Sequence, residues 1–398
     1  MQWPIKVSSP RKQIKLMIYL DHAATTPMSK MARDAYQKVA ENFFGNPSSL
    51  HDTGSEAERV LESSRKVIAD AAEAEARGLF FTGSGTEANF LAIVSLCMAH
   101  RKKGNHIITT AVEHSSVANT FSWLETQGFE ITRLGVDGRG RIITGELRDA
   151  IRPDTILASV QHANSETGTL QDLEKIGTIL KENEVLFHSD CVQSFCKLPF
   201  EIKKWKLDSF SVSAHKVHGP KGIGGAWIRP GVNWQPFYPE ASQENRFRPG
   251  TVDVPSAASF AAAVNEFAAK REDYSQKMES LNSCLIENLS ELTNIALFFE
   301  GDPKNKLSNI VGIRLKNMEG QYAMLECSQQ GVGISTGSAC RANDQKPSAS
   351  LIAMGRSNEE ARQFIRISFG MMNSETEIDR ASDVLINVIK KHTMLVKA

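Results

Sequence analysis

Between residues 79 and 229, short runs rich in β-branched and aromatic residues alternate with stretches of helical character. The short runs predict strands at 78–82, 106–110, 130–135, 155–161, 185–189, 208–213 and 225–228. Helical stretches separate them, and the one at 87–103 ends at Gly104, a residue type that readily stops a helix. Alternation of this kind predicts an α/β fold, a sheet covered by helices on both faces. Ligands of such sheets bind outside the carboxyl ends of the strands. Beyond Pro255 the pattern turns helical through about residue 292, and further strand-like runs follow at 295–300, 309–314 and 364–368. These predict a smaller α+β unit. The segment 335–350, rich in Ser, Gly, Ala, Asn and Pro, reads as a loop.

The longest apolar stretch, 90–99, is broken by Ser95 and falls well short of the ~20 apolar residues a bilayer crossing needs. No membrane span is expected. A length of 398 residues and 41% hydrophobic content allow a large core and predict two domains. The expected division is a large domain over 18–262, its first stretch packing with the small domain, and a C-terminal domain over 263–398. Residues 1–17 carry Lys6, Arg11, Lys12 and Lys15 without the apolar block of a secretory signal, and read as an extension, with Met17 an alternative start. Lys and Arg total 46, as do Asp and Glu, so net charge gives no reason to expect nucleic acid or an anionic membrane as partner. Six scattered cysteines show no disulfide or zinc spacing and suit a reducing cytoplasm; Cys97, on an apolar helix face, reads as a small buried hydrophobe.

Three segments carry candidate chemistry. Phe81-Thr82-Gly83-Ser84-Gly85-Thr86-Glu87-Ala88-Asn89 follows a strand and opens a helix, so backbone N–H groups would face an anion such as a phosphate. A tight turn with a helix cap explains it equally well. Val185-Leu186-Phe187-His188-Ser189-Asp190 is a buried-type strand ending in an acid, which needs a metal, an arginine or a protonated ring nitrogen as partner, or serves as a cap. Phe210-Ser211-Val212-Ser213-Ala214-His215-Lys216 ends in a lysine that desolvation can turn into a Schiff-base former. His215 and His218 lack a third ligand of convincing spacing, so no metal site is expected. Each part alone is weak. Together, in order at strand ends of one sheet, they describe a phosphate cup, an acid for a pyridine nitrogen and a lysine for an aldehyde.

These features and further motifs resemble the cysteine desulfurase (NifS-like) branch of the class V aminotransferases, from Ile18 to about Gly370. The matching segments are Tyr19-Leu20-Asp21-His22-Ala23-Ala24-Thr25-Thr26-Pro27, Gly45-Asn46-Pro47-Ser48-Ser49-Leu50-His51 and Glu113-His114. Next come Asn164-Ser165-Glu166-Thr167-Gly168, Ser213-Ala214-His215-Lys216 and Arg248-Pro249-Gly250-Thr251. Ser335-Thr336-Gly337-Ser338-Ala339-Cys340 and Arg366-Ile367-Ser368-Phe369-Gly370 complete the set.

The resemblance implies a fold-type I pyridoxal-phosphate transferase with a mainly parallel seven-stranded sheet and a smaller α+β domain. It implies that Lys216 carries pyridoxal 5'-phosphate as a Schiff base, Asp190 pairs with the ring nitrogen, Gln193 reaches the ring hydroxyl and His114 stacks on the ring and shuttles a proton. Gly85, Thr86, Ser213 and His215 would hold the phosphate, with Thr251 supplied by the other subunit of a homodimer. Asn164 and Arg366 would bind the substrate carboxylate, Arg366 by a bidentate fork. Cys340 would attack the sulfur of L-cysteine, leaving alanine and a persulfide that passes to an acceptor protein: an iron–sulfur scaffold, a tRNA thiolation enzyme or a dedicated client. Any metal there would be a transient iron–sulfur species at Cys340. Departures from the family pattern are Cys191 and Val192 in the acid motif, Ser165 after Asn164, and Pro249. Selenocysteine lyase and cysteine-sulfinate desulfinase, which need Cys340 less, share the fold; a non-catalytic scaffold is opposed by the presence of Lys216, Asp190 and His114.

Overall fold

The computed structural model describes residues 17–240, 242–337 and 347–397. The chain opens with a short strand, β1 (Ile18–Tyr19), and two helices, α1 (Lys30–Asn42) and α2 (Asp52–Asp70). The alternating region follows: β2 (Leu79–Thr82), α3 (Gly85–His100), β3 (His106–Thr110), α4 (Ser115–Thr126), β4 (Glu130–Leu134), α5 (Thr144–Ala150) and β5 (Thr155–Ser159). It continues through α6 (Leu173–Glu182), β6 (Leu186–Asp190), β7 (Ser209–Ser213) and β8 (Gly224–Ile228). These seven strands, β2 to β8, form one sheet, as the sequence leads one to expect; their order is β2-β8-β7-β6-β5-β3-β4. Only β8 runs against its neighbours. The other four pairings are parallel, so β3, β5, β6 and β7 deliver their carboxyl ends to the same edge.

Residue alternation along the strands fixes the two faces. Phe81 faces a core that includes Phe187, Phe210 and Trp227, whereas its neighbour Phe80 faces a second core built on α3 and α4. The helix α3 is buried on nearly every side, between β7, β8 and α4, which accounts for its uninterrupted apolar run. It starts at Gly85, two residues before the expected boundary, because the Ser84 hydroxyl caps it by accepting the Glu87 N–H at 3.1 Å. Such caps at strand-to-helix turns bring polar groups to the sheet edge.

Two helices, α7 (Val254–Ala269) and α8 (Arg271–Asn288), lead into β9 (Leu297–Glu300), β10 (Ile310–Leu315), α9 (Gly320–Gln329) and β11 (Val332–Gly333). The chain closes with α10 (Ala349–Ala353), α11 (Asn358–Arg362), β12 (Phe364–Ser368) and α12 (Glu375–Lys397). Strands β9, β10 and β12 make an antiparallel sheet in the order β12-β10-β9. The expected loop at 335–350 ends in the start of α10, where the Ser348 hydroxyl accepts the Leu351 N–H at 3.1 Å. Strand β1 pairs in parallel with β11, Ile18 opposite Val332, so the segment after it is held between the two sheets' residues. That segment, Asp21 to Pro27, matters for the site: Thr26 N–H donates to His215 O at 2.9 Å and Ala23 N–H to Ser368 Oγ at 2.9 Å. Among the described residues no helix is long and apolar enough to cross a membrane.

Candidate active site

A cavity of about 160 Å³ opens at the carboxyl ends of β2, β3, β5, β6 and β7. The turn after β2 brings Gly85 and Thr86, the turn after β3 brings His114, β6 ends in Asp190, and β7 runs into Ser213, His215 and Lys216. Gln193 and Arg366 complete the wall together with Ala23 and Ala24. Residues up to 343 positions apart in sequence are thus gathered where a parallel sheet places its ligand.

One end of the cavity is built for an anion. Gly85 begins α3, and a Cβ there would lie 2.9 Å from Val192 Cγ2 and 3.1 Å from Ser213 Cβ, so the backbone approaches β7 as only glycine allows. The Ser213 hydroxyl is buried with no hydrogen-bond partner. His215, whose Nδ1 lies 3.2 Å from Thr25 Oγ1, is held neutral, its pKa lowered to about 4 by burial and then by Lys216. Free N–H groups at a helix start and an orphaned buried hydroxyl fit a phosphate group.

The same cavity holds the acid and the lysine. Asp190 is buried; its Oδ2 accepts from Asn89 Nδ2 at 2.8 Å and its Oδ1 from the Val192 N–H at 3.0 Å. Asn89 is oriented in turn by His188, whose Nε2 is 3.2 Å from Asn89 Oδ1 and which burial drives down to about 3. Asp190 therefore presents a carboxylate with a fixed orientation to the cavity, as a protonated pyridine nitrogen requires. Lys216 Nζ donates to Ala23 O at 2.5 Å and Ala24 O at 2.9 Å. His114 caps α4: its Nδ1 accepts the Ser116 N–H at 3.2 Å, which puts the proton of the neutral ring on Nε2. Phosphate cup, acid and lysine surround one space, and the residues present fit pyridoxal phosphate.

Arg366, buried on β12, pairs with Asp21 at 2.7 Å and donates to Ser165 O at 2.8 Å, while its Nε has no partner. Asn164 does not line the cavity. Its Oδ1 accepts the N–H groups of Glu166 and Thr167, both at 2.9 Å, and its Nδ2 reaches Val112 O and Ser350 Oγ, both at 3.2 Å. The amide is spent on the turn, and Ser165, a departure from the family pattern, faces the cavity beside it. Thr251 is exposed and away from the cavity, on a loop tied by the Gly250 N–H to Gln243 Oε1 at 3.0 Å. Nearby Arg248 pairs with Glu87 at 2.8 Å. Cys191 is fully buried in the core, which raises its thiol pKa, and it does not line the cavity. Cys340 lies outside the described residues.

Sequence reasoning assigned no individual role to Asn89, Ser116, Gln161 or Asp21, all of which orient or line the site. Glu113 is another. The residue is half-buried with its carboxyl turned inward; Oε1 accepts from Thr110 Oγ1 at 2.8 Å and the Gln161 N–H at 2.9 Å, and Oε2 is buried with no partner. Burial raises its pKa from 4.5 to about 8. A raised carboxyl pKa favours folding most at low pH, and that contribution is lost as pH climbs from about 4.5 through about 8. Glu113→Gln keeps the accepting oxygen and removes the ionisation, so its stability relative to the parent should rise across that window by more than about 1 kcal/mol. Denaturant titrations at about pH 5 and about pH 9, near the lower end of that window and beyond its upper end, check this. An unchanged difference between the two proteins contradicts it.

A cofactor cup, acid and lysine at the strand ends of this sheet define a pyridoxal-phosphate-dependent enzyme of fold-type I. The chain belongs to the aminotransferase class-V family, which it matches over residues 18–381. It is 45% identical over 375 residues to a putative cysteine desulfurase NifS of Halalkalibacterium halodurans, covering 94% of this chain and 99% of that one. Among solved structures, a NifS-like protein superposes with a TM-score of 0.87 at 30% identity, covering 95% of this chain and all of that one (100%). SspA in complex with cysteine superposes with a TM-score of 0.79 at 32% identity, over 88% of this chain and 98% of that one.

Proposed function

We propose that this enzyme is a cysteine desulfurase, converting L-cysteine to L-alanine and carrying the sulfur as a persulfide on Cys340 for iron–sulfur cluster or other thio-cofactor synthesis. The observation that carries the reading is the convergence of Asp190, Lys216 and Arg366 on one cavity. When bound, pyridoxal phosphate supplies an aldehyde that condenses with amines and a ring that takes up the electron pair released at the substrate Cα.

The residues of the chain do the rest. Arg366, preset by Asp21 and the Ser165 carbonyl, offers its unpaired Nε to the substrate carboxylate. Asp190 keeps a proton on the ring nitrogen. Lys216 Nζ, as a neutral amine, would take the proton from the substrate Cα. His114 Nε2 relays a proton at the substrate. The Cys340 thiolate attacks the substrate sulfur: an S–S bond forms, the C–S bond breaks, and the electron pair left on the carbon is protonated to give the methyl group of alanine.

The reading includes a homodimer, in which the exposed Thr251 would reach the phosphate of a second copy; its exposure away from its own cavity supports this. The sulfur acceptor is a protein: a cluster scaffold, a tRNA thiolation enzyme or a dedicated client. The six scattered cysteines, without disulfide spacing, suit a reducing cytoplasm. Holoenzyme given cysteine and a thiol reductant should release alanine and sulfide in equal amounts. Absence of alanine overturns the reading.

A further inference from the structure

Lys197 is a buried lysine to which the reaction above gives no task. It is 5% exposed and sits four residues beyond Gln193, in the turns that follow β6. Cys196 adjoins it, Lys216 and Arg366 act on it from β7 and β12, and the imidazoles of His22, His215 and His218 feel its charge. No carboxylate among the described residues answers it. Burial, and then Lys216, lower its pKa to about 7. An ammonium in such surroundings is costly unless a dipole or anion meets it. Among the described residues, the one dipole that does is Gln193 Oε1, at 3.4 Å.

Gln193 belongs to the cavity wall. Its Nε2 donates at 2.9 Å to Ala23 O, the carbonyl that also accepts Lys216 Nζ. A carbonyl at one end of the amide and an amine at the other leave it a single orientation, oxygen to Lys197 and NH₂ to Ala23. The NH₂ group has two hydrogens, of which Ala23 takes one; the other is available to whatever the cavity holds.

We propose that Lys197 is a positioning residue for the cofactor, holding and polarising the Gln193 amide so that the pyridine ring's hydroxyl oxygen meets a donor. The role rests on reading the cavity as a pyridoxal-phosphate site. Without Lys197, Gln193 Oε1 is buried with no donor, and the amide is driven toward another orientation. Negative charge on the ring oxygen then loses its positioned and polarised donor.

The test is a pH titration of the bound cofactor's visible absorption in four holoproteins: parent, Lys197→Met, Gln193→Ala and the double variant. Lys197→Met should weaken cofactor binding about fivefold. It should move the pH midpoint of the band upward by about one unit, because the negative ring oxygen is less stabilised. In the Gln193→Ala background the same replacement should move the midpoint by less than about 0.3 unit, since the effect passes through Gln193. Lys197→Gln keeps an N–H donor without the charge; it should fall between parent and Met, and it serves the same comparison if Lys197→Met does not fold. An unmoved midpoint, or an equal shift in both backgrounds, overturns the role. A parent protein that forms no such band with pyridoxal phosphate overturns the cavity reading itself and this role with it.

Discussion

Lys216→Ala is expected to lower alanine formation from cysteine by about four orders of magnitude, because one side chain both anchors the cofactor and moves the Cα proton. The fold should survive. The Ala23 carbonyl that Lys216 Nζ contacts keeps the Gln193 amide as donor, and Asp190 keeps its bonds to Asn89 and Val192. Cofactor should still enter through the phosphate cup and be retained without a covalent link. Borohydride reduction followed by mass analysis reads this directly: the parent gains the cofactor mass at Lys216 and the variant stays unlabelled. A variant that still makes alanine and still fixes the cofactor would place the Schiff base on another lysine.

The second large effect concerns the sulfur. Cys340→Ala should bind cofactor as the parent does, since Gly85, Thr86, Ser213, Asp190 and Lys216, which form the cup, acid and lysine, are all retained. Alanine formation from cysteine should nevertheless fall by about three orders of magnitude, because the nucleophile that cleaves the C–S bond is gone. Selenocysteine, whose C–Se bond is weaker, should be turned over within about tenfold of the parent rate. Steady-state rates on both substrates check this. Full activity on cysteine would favour a selenocysteine lyase or a cysteine-sulfinate desulfinase.

Much of this was legible in the sequence because local signals sufficed. Strands at 106–110 and 364–368 are bounded by turn residues, and the structure keeps those limits, β3 and β12. The acid strand shifts by one residue, to Leu186–Asp190, because pairing with β7 extends it through Asp190 opposite Ser211. The strand expected at 155–161 stops at Ser159, and Gln161 turns into the cavity while its N–H goes to Glu113. Contacts across long stretches of chain could not be read in advance. Asn89 meets Asp190 across 101 positions and Arg366 meets Asp21 across 345, and neither pair leaves a periodic trace. Asn164 shows the reverse case: a motif residue whose amide the fold consumes in its own turn. Lys197 carried no signal beyond being a lysine near a strand end, since what distinguishes it is burial without a countercharge.

The central claim is that sulfur leaves cysteine and rests on Cys340. Single-turnover reaction of the holoenzyme with ³⁵S-labelled cysteine, followed by peptide mapping without reductant, tests it most directly. The account predicts one labelled persulfide on the peptide containing Cys340 for each alanine formed, and none in Lys216→Ala. Alanine formed with the label on another cysteine, or with no protein-bound label at all, would contradict it.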